Sequence, residues 1–289
     1  EVVVVTRGNQ ALPVSHARLV GLRCDRKEEP AMTRLLDGHR FDAVIDNICY
    51  EPRDAEAAVR LFKGRCGRYL FTSTVMSYLN LYLTQNPLGE GDWHRAQSTD
   101  GMLAQYGASE LQYGKIKRGC EEVFQSAADF PSTAFRLHNV IGADDFSGKS
   151  GAITLAILTH GTTRLPGRPV DTYQFVAAED VANIYCDAIE MGPDRLAEAY
   201  NVSNPPISQQ DYVLTIAEAT GLEADISFSG GDGAWGDEEV LAPFPRNVVL
   251  DCARLNKDFA DPLTDCRTYL AMASRWYRNH QLETVGKDP

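Results

Sequence analysis

Apolar residues occur along the chain in short runs separated by amphipathic stretches, and the period of the pattern switches repeatedly between two and about 3.6. Val2-Val3-Val4-Val5, closed by Arg7-Gly8-Asn9, is a continuous β-branched run of the kind buried on both faces in a parallel sheet. A second strand is predicted at Ala17-Arg18-Leu19-Val20-Gly21 and a helix from about Pro30 to Leu36. A strand at Phe41–Asp46, a helix at Ala55–Phe62 and a strand at Arg68–Ser73 follow. Residues 84–101, rich in Gly, Pro, Asn and Asp, read as a loop before a long helix over Ser109–Ser126 and a strand over Ser132–Arg136. Next come the helix Ile153–Leu158, the strand Tyr173–Val176, the helix Ala178–Glu190 and the strand Ala199–Val202. This alternation predicts right-handed βαβ units and therefore an α/β fold around a doubly wound parallel sheet.

Beyond residue 203 the pattern becomes irregular. It contains Pro205-Pro206, a helix over Ser208–Thr220, the loop Gly230-Gly231-Asp232-Gly233 and a final helix near Cys266–His280. The expected organisation is a sheet domain over 1–203 and a smaller region over 204–289, with 143–172 contributing to the smaller region's side.

Composition narrows the function classes. Hydrophobic residues make up 44% and charged residues 24% of 289 positions, an ordinary globular mix, and no apolar run approaches the ~20 residues that span a bilayer. A formal charge of -12 disfavours a broad grip on nucleic acid or anionic lipid, leaving room for a local basic pocket. The seven cysteines contain no CxxC pair, so neither a disulfide framework nor a zinc cluster is indicated; a reducing, cytoplasmic compartment fits. The six histidines lack metal-ligand spacing, and His138 reads as a strand-end neighbour of a site.

Tyr113 and Lys117 stand four apart on the predicted 109–126 helix and so share a face. A buried ammonium beside a phenol is expected to lower the phenol's pKa, making it an acid/base for an alcohol or carbonyl oxygen. Chance alone supplies about 0.3 such pairs in a chain of this composition, so context must carry the assignment. Phe71-Thr72-Ser73-Thr74 ends a predicted strand and Phe135-Arg136-Leu137-His138-Asn139 ends another, which places polar groups where parallel strands form a ligand crevice. Gly148-Lys149-Ser150 looks like a phosphate loop but has Ala143 where the first glycine is required, so a turn is the better reading.

With these residues the chain resembles the extended short-chain dehydrogenase/reductases, particularly NAD-dependent epimerase/dehydratase-like proteins, over nearly its whole length. The resemblance implies a Rossmann-like fold, the 1–203 region binding the cofactor and 204–289 mainly the substrate. It implies catalytic Thr74, Tyr113 and Lys117, with Thr74 also contacting substrate and Lys117 also the nicotinamide ribose. Arg7, Asp25, Asp46 and Asn47 match cofactor-binding positions, and Asn139 and Arg246 substrate-binding ones. Asn139 is equally well read as a turn residue.

Thr74 is followed by Val75-Met76 rather than the Asp-Glu pair of sugar-nucleotide dehydratases, which disfavours elimination chemistry. The glycine-rich turn that cradles the pyrophosphate is absent, and Val2–Thr6 resembles the second strand of the family. Either an upstream βα unit is missing from this sequence, which its start at Glu1 favours, or the chain is a shortened relative with a defective cofactor site.

The implied activity is NAD(P)-dependent reduction or epimerisation of a secondary alcohol or ketone, with a nucleotide-linked sugar as the candidate small-molecule substrate. Arg7 favours NADP over NAD through a 2′-phosphate. A homodimer is implied by resemblance alone. The alternative is a non-catalytic binding or regulatory relative; the resemblance extends to chloroplast stem-loop-binding proteins, although the charge of -12 opposes an RNA role.

Overall fold

The computed structural model describes residues 1–9, 11–97, 108–143, 145, 151–192, 195–230, 246–260 and 263–285. The Gly148-Lys149-Ser150 stretch and Gly231-Asp232-Gly233 lie outside the described residues. In chain order the elements begin with β1 (Val2–Thr6), β2 (Leu19–Arg23), α1 (Glu29–Leu35), β3 (Val44–Asp46), α2 (Pro52–Phe62), β4 (Tyr69–Thr74) and α3 (Leu81–Thr84). They continue with α4 (Ala108–Ser126), β5 (Ser132–Leu137), β6 (Asn139–Ile141), α5 (Ala152–His160), β7 (Thr162–Leu165), β8 (Thr172–Tyr173), β9 (Phe175–Ala177) and α6 (Ala178–Glu190). The last are β10 (Ala199–Val202), β11 (Ile207–Ser208), α7 (Gln209–Thr220), β12 (Asp225–Phe228), α8 (Ala253–Asp258) and α9 (Cys266–Val285).

The central sheet has the order β10-β5-β4-β3 and is parallel throughout. Alternate residues of its strands feed two cores, as a pleat of period two requires. Leu70, Phe135, Tyr200 and Val202 pack with Val181, Ile184 and Tyr185 of α6. Tyr69, Phe71 and Ala134 pack with Ala55 and Ala58 of α2 and with Cys120 and Phe124 of α4. Burying one such aromatic side chain stabilises the fold by about 1.5–3 kcal/mol. Helices on both faces therefore make this the doubly wound, Rossmann-like α/β arrangement that the alternating pattern predicted.

The four-valine run departs from expectation. β1 pairs only with β2, in a separate two-stranded parallel sheet, and its burial runs exposed, half-buried for three residues, exposed. Val2 is 58% exposed. The run is thus an edge rather than a strand buried on both faces, because no second neighbour covers it among the described residues. The ladder of the central sheet likewise stops at β3. The two pieces are tied together by Val5 and Leu22 packing on Met32, Leu36 and Leu61, and by Arg26, which donates two hydrogen bonds to Asp46 at 2.7 and 2.9 Å.

The predicted strand at Tyr173–Val176 is two strands broken at Gln174. β8 pairs antiparallel with β11 and β9 pairs parallel with β6. Gln174 leaves the ladder to bond the Leu250 backbone, accepting from its N–H at 2.8 Å and donating to its carbonyl at 3.4 Å. The 204–289 region interleaves with residues 152–173: β12 pairs with β7, and Tyr212, Val213 and Ile216 of α7 share a core with Ile153, Ile157, Tyr269 and Leu270. Ser208 caps α7 by accepting from the Asp211 N–H at 3.0 Å, which is why the helix begins at Gln209.

Candidate functional site

Thr74 is the last residue of β4, where the parallel strands present their carboxyl ends. Its hydroxyl accepts from the Met76 N–H at 3.3 Å and so starts the single turn of 3-10 helix at Val75–Tyr78. Helix α4 lies directly on this turn, and Gly114 is the reason. A Cβ at that position would stand 2.5 Å from the Met76 carbonyl oxygen. This close approach holds Tyr113, the neighbour of Gly114, near Thr74, whose hydroxyl favours the phenolate. Lys117, one turn along and fully buried, donates to the Cys49 carbonyl at 3.0 Å. Its ammonium also lies 4.3 Å from the Phe71 ring centroid and 5.2 Å from that of Tyr50.

The electrostatics correct the expectation of a lowered phenol pKa. Tyr113 is pushed up to about 12, chiefly because the surrounding protein strips water from its phenolate, and the nearby Thr74 hydroxyl opposes this only in part. Burial pushes the Lys117 ammonium down, since a cation there loses its hydration. With that ammonium committed to the Cys49 carbonyl, desolvation governs the phenol. Tyr113 is protonated at neutral pH, and its side chain is 37% exposed, open to a ligand.

The other expected residues are placed unevenly. Asp46, at the end of β3, is buried and accepts from Arg26, from the Tyr69 hydroxyl and from the Ile48 N–H at 3.1 Å. Burial raises its pKa, but Arg26 and Tyr69 outweigh burial and hold the carboxylate ionised. Its side chain is therefore an internal tie between the two sheet pieces. Asn47 accepts from the Thr72 hydroxyl at 2.5 Å, and Asp25 accepts from the Lys27 N–H at 2.9 Å. Arg7, exposed, follows the end of β1, its carbonyl accepting from the Arg23 Nε at 2.9 Å.

Asn139 opens β6 rather than forming a turn. Its backbone N–H and its carboxamide Nδ2 both lie 2.8 Å from His138 Nδ1, and Nδ2 also donates to the Gln174 carbonyl at 3.2 Å. His138 donates from Nε2 to the Val248 carbonyl at 3.1 Å, and burial pushes its pKa down to about 4. It is a neutral imidazole that holds Asn139 in place. Arg246, expected to bind substrate, pairs with the buried Asp171 at 2.9 Å. Sequence reasoning missed Gly114 and the exposed Tyr50, whose ring stands 6.5 Å from that of Tyr113. A glycine inside a helix, costing about 0.5–1 kcal/mol relative to alanine, was the available signal for the first.

Among the described residues no group of His, Cys, Asp and Glu is arranged to hold a metal ion, and no helix is long and apolar enough to cross a membrane. Tyr113 and Lys117 stand one turn apart on α4, and no glycine-rich strand-to-helix turn of the kind that cradles a pyrophosphate is present among the described residues.

No protein-family model and no curated protein matches the chain. Solved structures do resemble it. The Bordetella bronchiseptica enzyme WbmG, in complex with NAD and UDP, superposes with a TM-score of 0.71 at 15% identity over 97% of this chain and 86% of that one. UDP-glucose 4-epimerase of Thermotoga maritima, with UDP-glucose, gives 0.68 at 17% identity over 96% and 91%. RMD from Pseudomonas aeruginosa, complexed with NADPH, gives 0.62 at 18% over 92% and 93%. The chain has the fold of the extended short-chain dehydrogenase/reductases.

Proposed function

We propose that the protein is a nicotinamide-dependent reductase or epimerase acting on a secondary alcohol or ketone, with a nucleotide-linked sugar as the substrate class. The observation that carries this reading is the close approach of α4 to the end of β4, which brings Tyr113 to Thr74, with Lys117 one turn away on the same helix. The structural neighbours holding NAD with UDP, UDP-glucose or NADPH support it. A bound nicotinamide would supply or accept the hydride. In the reductive direction the Thr74 hydroxyl orients the substrate carbonyl, and Tyr113 gives its phenolic proton to the carbonyl oxygen. A phenol protonated at neutral pH is ready for that step. In this reading Lys117 contacts the nicotinamide ribose, Asn139 contacts the substrate, and Arg7 takes a 2′-phosphate.

The test is titration with NADPH and NADH, followed by turnover of UDP-glucose and related nucleotide sugars. Tyr113→Phe should retain fold and cofactor affinity while losing about 10²-fold or more in turnover. Failure of both nicotinamide nucleotides to bind would overturn the reading. One observation favours a second reading, a non-catalytic binding protein: the break between the β1–β2 sheet and the central sheet, with no pyrophosphate cradle among the described residues. Binding of a nucleotide sugar without any nicotinamide nucleotide would select it.

A further inference from the structure

Three elements carry the proposed site: β4 with Thr74, α4 with Tyr113 and Lys117, and the β5–β6 segment with Asn139. Each also contributes one buried polar side chain to a single cluster beneath the site. Ser73 precedes Thr74 and, by strand alternation, points to the opposite face. Glu121 lies one helical turn beyond Lys117, and Arg136 lies three residues before Asn139. Ser73 Oγ donates to Glu121 Oε1, while Arg136 donates from Nε to Oε2 at 3.0 Å and from Nη2 to Oε2 at 2.8 Å. All three residues are 2% exposed or less. The guanidinium is completed by the Tyr78 hydroxyl at 3.2 Å and the Glu90 carbonyl at 3.1 Å, with its carbon 4.8 Å from the Trp93 ring centroid.

Such a cluster is a poor source of stability. Desolvating an ion pair this completely cancels most of the attraction, and apolar residues of similar size often replace one without loss. What apolar residues cannot replace is direction. Fork-like guanidinium–carboxylate bonds and a hydroxyl donor fix how far the helix slides and rotates against two strands, whereas packed methyl groups tolerate several arrangements. Glu121 also places a negative charge near Lys117 and favours its cation.

We infer that Ser73, Glu121 and Arg136 form a positioning set that holds Thr74, Tyr113 with Lys117, and Asn139 in mutual register. The inference rests on the proposed site, but its test does not require activity. In protein labelled with 13C at tyrosine Cζ, the Tyr113 resonance is assigned by its loss in Tyr113→Phe and reports the surroundings of the phenol near Thr74. Two perturbed proteins are compared with wild type: Ser73→Ala, which leaves the ion pair intact, and the apolar triple replacement Ser73→Ala/Glu121→Met/Arg136→Met. Both are expected to keep the wild-type circular dichroism while the Tyr113 resonance shifts or splits into several lines, and Ser73→Thr, which retains the hydroxyl, restores the single line. An unchanged Tyr113 resonance in Ser73→Ala and in whichever triple variant folds would overturn the inference. Where turnover is measurable, kcat should fall on the order of 10- to 100-fold with KM within about twofold of wild type. Absence of turnover in the wild-type protein would count against the proposed function alone, since the Tyr113 signal still decides the positioning role.

Discussion

Gly114 meets the Met76 carbonyl so closely that a Cβ would approach it to 2.5 Å, and this contact sets the distance between helix α4 and the end of β4. Two effects compete in Gly114→Ala. Helix propensity gains about 0.5–1 kcal/mol, while overpacking costs about 1–3 kcal/mol. The obstacle is a backbone carbonyl rather than the end of a flexible side chain, so overpacking wins. Urea unfolding should show a net loss of about 1–2 kcal/mol, and Tyr113 should be displaced from Thr74 in the same variant. Unchanged stability would show that α4 has room to shift.

Arg26 and Asp46 join the two pieces of the sheet. Arg26→Ala leaves a buried carboxylate with only the Tyr69 hydroxyl and the Ile48 N–H, and should destabilise by about 3 kcal/mol, the lower end for a broken buried pair because Arg26 is partly exposed. In the wild type the Asp46 pKa lies below its ordinary value, so its contribution is present above that value and disappears as pH falls through the folded one. The gap between variant and wild type, followed by urea midpoints from pH 7 downward, should therefore narrow toward pH 3. A gap independent of pH would argue against the ion pair as its cause.

His138 gives a second pH signature of known sign. Its pKa falls from 6.5 to about 4 on folding, so the unfolded chain binds the proton first. Stability from this group is complete above 6.5 and declines as pH drops toward 4, by roughly 3 kcal/mol in total. His138→Gln should flatten the wild-type loss of stability across that window. If both proteins lose stability in parallel between pH 6.5 and 4, the decline belongs to other groups.

The thiols should separate by access. Cys186 is exposed, whereas Cys49, Cys66 and Cys120 are buried, and burial raises the Cys66 thiol to about 11. Among these four, a neutral disulfide reagent should label Cys186 first and the three buried thiols only on unfolding. Rapid labelling of Cys49 or Cys120 in native protein would mean that the layer beneath Lys117 opens readily.

Much of the fold was legible in the sequence because periodicity reports burial directly. The bounds of α6 and β10 coincide with the alternating pattern, and α4 differs by one residue at its start. The four-valine strand was misread because apolarity states what a strand can bury, whereas its sheet neighbours decide what it does bury. Gln174 escaped for a related reason: its partner, Leu250, is far away in sequence, and no local signal announces that a side-chain amide will replace a ladder bond.

The site divides in the same way. Spacing alone put Tyr113 and Lys117 on one helical face, because the helix repeat does so in any context. Their ionisation was decided by tertiary structure, which commits the Lys117 ammonium to the Cys49 carbonyl and desolvates the phenol. Nothing in the sequence announces the partners of Arg246 and Asp46, which tertiary structure supplies as Asp171 and Arg26. Periodicity and spacing are local properties that the amino-acid order contains; desolvation and long-range pairing arise only when distant segments meet.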